Sequence, residues 1–184
     1  MWIARRVQLS GYAEAAAHWQ RAIELSQTAP AAARAAGADV PRMFVHAIDA
    51  LEMSGDWARA GAVAEEAYRR FSDHPDQPAA AVIHHRAARF RAFEDPAAGL
   101  PLIKESLRLF GQTPPSADHA EAWYGYGTDF LFHAEGRQEA SLAAFNNALE
   151  IAEAAGATTL IPAFFPASHS THFFAGNSTR GSPS

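Results

Sequence analysis

A short phrase recurs along this chain, in which glycine or serine beside an aromatic or polar residue opens an alanine-rich amphipathic run. Copies of the phrase begin at Ser10-Gly11-Tyr12, Ser54-Gly55-Asp56 and Gly136-Arg137-Gln138, with a weaker copy at Asp95-Pro96-Ala97. Recurrence at a regular period is typical of stacked helical hairpins, because each hairpin needs its neighbours to bury its apolar face. Such arrays more often bind partners than catalyse reactions, so we expect a binding surface.

The composition limits the classes of protein. With 184 residues, 48% hydrophobic and 19% charged, the chain is long and apolar enough for a globular domain with a sizeable core. A net charge of −5 gives no overall electrostatic reason to bind nucleic acid or an anionic membrane. The absence of cysteine excludes disulfides, cysteine zinc sites and thiol catalysis. The sequence has no signal-peptide core and no run of about 20 apolar residues, so we expect a cytoplasmic protein.

Apolar residues at helical spacing predict four hairpins, each with a helix A, a turn and a helix B. The first three predicted hairpins pair residues 2–9 with 12–27, 40–54 with 57–71, and 79–93 with 96–110. The fourth pairs residues 117–133 with a last helix that follows the turn at 136 and ends at 156. Asp39, Asp56 and Ser116 are predicted N-caps, because their side chains can accept from free amides of a first turn. Pro101 removes one hydrogen bond and should kink or delay its helix.

The chain changes character after Ala157, where alanine and glutamate give way to serine, phenylalanine, proline and histidine. We therefore predict a helical repeat domain over residues 1–157 and a poorly ordered tail over residues 158–184. The short first helix and this tail suggest that both ends are cut from something longer, with a frameshift as one explanation. Incomplete end hairpins would leave apolar faces uncovered, so self-association is also expected.

The helix B runs resemble the tetratricopeptide repeat family. The family pattern consists of glycine, tyrosine, alanine, an aromatic residue and then Ala-Leu-Glu-Leu. Its first match is Tyr12, Ala15, Trp19, Ala22 and the following Ile23-Glu24-Leu25. Its second match is Gly136, Ser141, Phe145, Ala148 and the following Leu149-Glu150-Ile151. The longer spacing of about 40–45 residues resembles the repeat region of bacterial LuxR-type (MalT-like) ATPase regulators. Over about residues 2–157 the resemblance implies an all-α solenoid of antiparallel hairpins and a non-catalytic protein-interaction scaffold or sensor. The nucleotide-binding and DNA-binding motifs of full-length regulators are not matched.

A cluster of basic residues marks the predicted partner site. His85, Arg86 and Arg89 lie on helix A of the third hairpin, and helix A lines the concave groove in the resembled family. Because arginine suits bidentate binding of carboxylates, we predict that these residues bind an acidic peptide or a neighbouring domain. The alternative is an ordinary solvated face. The groove would continue through Arg42, His46 and Asp49.

Other chemistry finds less support in the sequence. His84 and His85 are adjacent and would point about 100° apart on a helix, and Asp129 with His133 supplies two ligands where zinc takes three or four. No nucleophile elbow, His-Glu-x-x-His or dinucleotide fingerprint occurs. We predict no catalytic, cofactor-binding or metal-binding residue. Two alternatives to the interaction module stay open: an inactive remnant of a broken regulator, and an enzyme or metal-binding helical protein.

Overall fold

The fold is all-helical, as the sequence predicts. A computed structural model describes residues 2–160, with side chains from residue 11 onward, and no strand occurs within that range. The predicted tail therefore lies outside the described residues except for a 3₁₀ turn at Thr158–Leu160. The α-helices of residues 2–160 are α1 (Trp2–Thr28), α2 (Pro30–Ala35), α3 (Val40–Ser54), α4 (Trp57–Phe71), α5 (Gln77–Glu94), α6 (Pro96–Phe110), α7 (Ala117–Gly125) and α8 (Gln138–Ala154).

The predicted helix boundaries are confirmed where capping chemistry sets them. Asp39 Oδ1 accepts from the Arg42 amide at 3.0 Å, Asp56 Oδ1 from the Arg59 amide at 3.3 Å, and Ser116 Oγ from the His119 amide at 3.2 Å. Each bond satisfies an amide that the first turn of a helix leaves free. Helix α3 then stops at Gly55, whose φ of 87° lies in the left-handed region that glycine adopts without strain.

The predicted first hairpin is wrong. A single helix, α1, runs through the turn expected at Ser10-Gly11. A glycine inside a helix costs about 1 kcal/mol relative to alanine, which the surrounding alanines and the packing of α1 against α3 offset. Helix α2, which the sequence analysis did not predict, follows directly and has Pro30 in its first turn.

Two further expectations are corrected. Helix α6 begins at Pro96 and contains Pro101, so the predicted delay is wrong, while a kink at Pro101 stays a prediction. The helix expected from residue 117 to 133 instead becomes π-helical over Tyr126–Ala134. The Thr128 hydroxyl oxygen lies 3.1 Å from the Tyr124 carbonyl oxygen and 3.3 Å from that of Gly125, and its one proton can be donated to either. Hydroxyls that bond to carbonyls one turn back compete with the regular ladder, which favours the wider turn.

The described chain forms two compact units, one within Met1–Thr113 and the other within Pro114–Ser184. In the first unit α3 packs against α1, α4 and α5, and α5 packs against α4 and α6. In the second, α8 packs against α7 and the π-helical segment. The predicted domain over residues 1–157 spans both units. No helix in the described part of the chain is long and apolar enough to cross a bilayer.

Small side chains bring neighbouring helices close together. Ala60, Ala64 and Ala67 of α4 are at most 1% exposed. Helix α4 packs against α3, and Ala60 shares a buried cluster with Leu51 of α3. Phe44 and Ile48 of α3 are also at most 1% exposed. Close packing without voids maximises the dispersion contacts of each buried group. Two buried serines also link neighbouring elements by hydrogen bonds. Ser106 donates to the Ala81 carbonyl at 2.7 Å, and Ser141 donates to the Gly127 carbonyl at 2.9 Å.

Candidate functional site

Two of the three predicted partner residues of α5, His85 and Arg86, lie in the interior of the first unit, whereas the Arg89 side chain is 34% exposed. Every residue from Ala80 to Ala88 is buried, because α3, α4 and α6 all pack against this helix. Arg86 is 6% exposed and donates from Nε to Asp49 Oδ1 of α3 at 3.0 Å. A buried guanidinium requires such a partner, since an unpaired charge in the core is very costly. The alternative of an ordinary solvated face therefore does not hold for Arg86.

A second ion pair joins the same two helices one turn further along. Arg89 Nη1 lies 2.8 Å from Glu52 Oε2, and the Glu52 side chain is 10% exposed. Burial raises the pKa of Glu52, while the nearby guanidinium groups of Arg89 and Arg86 oppose that rise. The Asp49–Arg86 and Glu52–Arg89 pairs both join residues 37 positions apart. The two pairs together tie α5 to α3.

His85 completes this ionic cluster. Its Nδ1 lies 3.2 Å from Arg86 Nη1. A guanidinium can only donate, so His85 Nδ1 is the acceptor and the ring is neutral. Burial lowers the pKa of His85 well below its ordinary value, and the charges of Arg86 and Arg89 lower it further. The ring therefore acts as a hydrogen-bond acceptor inside the core.

The structure brings together part of the predicted groove. Asp49, His85 and Arg86 are in contact, whereas His46 stacks on Trp19 of α1 with ring centroids 4.7 Å apart. Arg42 lies in the first turn of α3, where its amide binds the capping carboxylate. Binding of a partner by these residues stays a prediction, but Asp49 and Glu52 already match the charges of Arg86 and Arg89 within the chain.

An open cleft lies between α4, the end of α5 and the start of α6. It has a volume of about 820 Å³, and aromatic rings of Trp57, Phe90 and Phe93 line it. Trp57 and Phe93 meet edge to face, with centroids 6.0 Å apart, and they are 46% and 69% exposed. On the α4 side the Phe90 ring packs directly over Gly61, where an added Cβ would lie 3.3 Å from Phe90 Cδ1. Exposed rings grouped around a concavity are a feature of binding sites.

Carboxylates dominate the charge around the cleft. Arg91 binds Glu65 through two contacts, Nε to Oε1 at 2.7 Å and Nη2 to Oε2 at 3.0 Å, and this bonding raises the pKa of Arg91. Glu94 and Asp95 also line the cleft and are exposed. One Asp95 oxygen caps α6 by accepting from the Ala97 amide at 2.9 Å. Three carboxylates and one guanidinium leave the cleft with a formal charge of −2.

The other chemical candidates are not assembled into a site in the described residues. No group of three or more histidine, aspartate and glutamate side chains there could hold a metal ion. Asp129 Oδ1 lies 3.2 Å from the Thr128 hydroxyl oxygen. On α4, Glu66 pairs with Arg70 at 3.2 Å, whereas Glu65 pairs with Arg91 of α5.

The sequence analysis missed the aromatic cleft. Trp57 begins α4 and Phe93 lies in the last turn of α5, so they are far apart in sequence and meet because the two helices pack together. A usable signal existed in the placement of both rings. Each stands at a helix end next to a capping aspartate, Asp56 or Asp95, where a helical stripe does not require a large apolar residue.

Comparisons with known proteins show no family. No family model matches the chain, and no curated protein matches it. Among solved structures, the chain is similar to the crystal structure of BtubC (BKLC) from P. vanneervenii. That match is 14% identical, covers 98% of this chain and 95% of the other, and has a TM-score of 0.48. An overlap this low carries no argument here about fold or function.

Proposed function

We propose that this chain is a non-catalytic protein-interaction module built from tetratricopeptide-like hairpins, related to the repeat region of a LuxR-type regulator. The order of the helices supports this proposal. Helices α3 and α5 begin at Val40 and Gln77, and α4 and α6 begin at Trp57 and Pro96, which are offsets of 37 and 39 residues. A repeated unit of this length, with small residues between its helices, is what a helical-hairpin array requires.

The aromatic cleft is the observation that carries the proposal. Large apolar groups normally leave water during folding, since burial of a phenylalanine side chain is worth about 1.5–3 kcal/mol. Phe93 nevertheless remains 69% exposed beside the half-exposed ring of Trp57. A partner that covers both rings would recover this free energy, and aromatic residues of this kind often dominate the energetics of an interface.

The chemistry of the cleft favours recognition over catalysis. Its walls are ring faces and small side chains, and its arginine is already held in a two-contact ion pair with Glu65. Groups fixed in this way give a partner a defined surface, and fixed geometry lowers the entropy lost on binding.

Affinity capture from the native cell tests the proposal. The full-length chain, its Phe93→Ala variant and a Glu150→Lys control are immobilised in parallel, because Glu150 is an exposed residue on α8. We expect the wild-type chain and the control to retain the same protein, and Phe93→Ala to lose most of it. Phe93 is largely exposed, so its loss should leave the helix content unchanged by circular dichroism. Equal capture by all three chains, or capture of nothing, would count against the proposal and favour an inactive remnant.

A further inference from the structure

We propose that the cleft between α4 and α5 binds a segment of a partner protein that carries a large apolar side chain next to arginine or lysine. This inference rests on the proposed interaction function and adds the chemistry of the partner. It departs from the acidic partner that the basic residues of α5 predict, because Asp49 and Glu52 already neutralise the two arginines on which that prediction depended.

The shape and lining of the cleft explain the apolar part of the partner. Its volume of about 820 Å³ lies within the range of roughly 300–1,000 Å³ found for sites that hold compact organic groups. Phe90 and Phe93 lie 6.4 Å apart by ring centroid, and Trp57 stands edge to face with Phe93. A leucine, phenylalanine or methionine side chain would contact several ring surfaces there.

The charge of the cleft selects the polar part of the partner. Arg91 is matched by Glu65, so the carboxylates of Glu94 and Asp95 set the remaining field. The backbone at the end of α5 adds to that field, because the last carbonyls of a helix carry partial negative charge. The first amides of α6 carry partial positive charge, but the Asp95 carboxylate already binds one of them, the amide of Ala97. A basic segment would be attracted, and an acidic segment would be repelled by both carboxylates.

The chain itself shows how a cation lies against an aromatic ring, once at Trp57 of the cleft and once at Tyr68, which is not among the residues that line the cleft. Arg89 lies 5.7 Å from the centre of the Trp57 ring, and Arg91 lies 4.6 Å from the centre of the Tyr68 ring. Both distances fall within the roughly 6 Å over which a cation is attracted to an aromatic face. Phe93 is the most exposed ring of the cleft and stands beside Glu94. A partner arginine or lysine could therefore contact the Phe93 ring and the Glu94 carboxylate together.

Three synthetic peptides of equal length test this inference on the full-length chain. The first carries leucine and phenylalanine with arginine, the second replaces arginine by glutamate, and the third keeps arginine but replaces the apolar residues by serine. Fluorescence anisotropy measures each affinity. We expect the first peptide to bind, and to bind at least about tenfold more tightly than either of the others, since both apolar and charged contacts are needed. Tight binding of the glutamate peptide would overturn the charge argument.

Two variants place the binding in the cleft. Phe93→Ala should weaken the first peptide by about tenfold or more, and Glu94→Lys should weaken it about two- to fivefold at low salt, with a smaller effect at high salt. Glu150→Lys makes the same charge change on α8 and should leave the affinity unchanged. Equal affinities for wild type, Phe93→Ala and Glu94→Lys would overturn the cleft as the site.

The outcomes separate this inference from the proposed function. If affinity capture finds a protein that Phe93→Ala loses but the contacting segment is acidic, the interaction function stands and the inferred chemistry fails. If the basic peptide binds in the cleft while capture finds no partner in the cell, the chemistry of the cleft stands and the cellular function fails.

Discussion

Helix α5 contributes to two contrasting regions, one in which charged side chains are buried and one in which aromatic side chains are exposed. Between Ala80 and Ala88 it is buried, and Arg86 in this stretch and Arg89 just after it are matched by carboxylates of α3. Near its end, the same helix leaves Phe93 exposed beside an acidic cleft. The basic region is closed by the chain itself, whereas the aromatic region is open. From residue types alone, the arginines would be expected on the surface and the aromatic rings in the core. The packing of the neighbouring helices therefore decides which surface is left for a partner.

Removal of Arg86 should produce the largest effect and would show whether the ionic region is structural. Arg86→Ala leaves Asp49 without its partner and opens a gap in the core, so we expect a loss of about 2–4 kcal/mol in unfolding free energy by urea denaturation. Asp49 is 41% exposed, which keeps the loss below that of a fully buried pair.

The control for this change is Arg21→Ala. Arg21 and Glu24 form an ion pair in which the side chains are 68% and 61% exposed, and such surface pairs contribute about 0–1 kcal/mol. If Arg86→Ala costs no more than Arg21→Ala, the ionic region does not hold α5 to α3, and its arginines would again be candidates for partner binding.

Acid should weaken the closed region next, through His85. The pKa of His85 is lowered in the folded chain by burial and by Arg86 and Arg89, so the unfolded chain binds a proton first as the pH falls below about 6.5. Stability is then lost as the pH falls below that value, by up to about 1.4 kcal/mol per pH unit for one such group. Burial also lowers the pKa of His84 and of His119, which adds to the same trend.

A His85→Gln variant isolates the contribution of this ring, because glutamine offers an acceptor to Arg86 without titrating. The measurement is urea denaturation at several pH values from about 7.5 to 5.5. We expect the stability of the wild type to fall more steeply with acid than that of the variant, so that the two curves converge. Parallel curves would show that His85 does not titrate differently in the folded and unfolded chains.

The sequence predicted those parts of the fold that depend on local chemistry. Asp39, Asp56 and Ser116 cap helices because a short acceptor side chain beside free amides is a local arrangement, visible in the sequence. The first helix was missed because the packing of α1 against α3 overrode the local glycine signal at Gly11. The π-helical segment was missed because helical spacing alone does not show that the Thr128 hydroxyl competes for backbone carbonyls.

The candidate site was less accessible from the sequence because it depends on contacts between distant residues. His85, Arg86 and Arg89 were predicted as a partner surface, but Asp49 and Glu52 reach two of them from another helix. A charge on a helix predicts a solvated face only if the opposing helix supplies no counterion. The clearest signal was the pair of rings at helix ends, Trp57 and Phe93, which the apolar stripe does not need.

The smallest expected effect on stability comes from replacing Gly61, and it is compared with the replacement of Gly127, which also faces an aromatic ring. Gly61→Ala places a Cβ 3.3 Å from the ring of Phe90. Phe90 borders the cleft and can shift, while alanine favours the helix by about 1 kcal/mol over glycine, so we expect the unfolding free energy to rise by less than about 1 kcal/mol. In the reference variant, Gly127→Ala, the Cβ would lie 2.7 Å from Phe145 Cε1 and 3.2 Å from Ala144 Cβ. Ala144 is buried and cannot yield, so a loss of about 1–3 kcal/mol is expected. Thermal or urea denaturation of the two variants measures the difference, and a destabilised Gly61→Ala would mean that the cleft is packed more tightly than its open rings indicate.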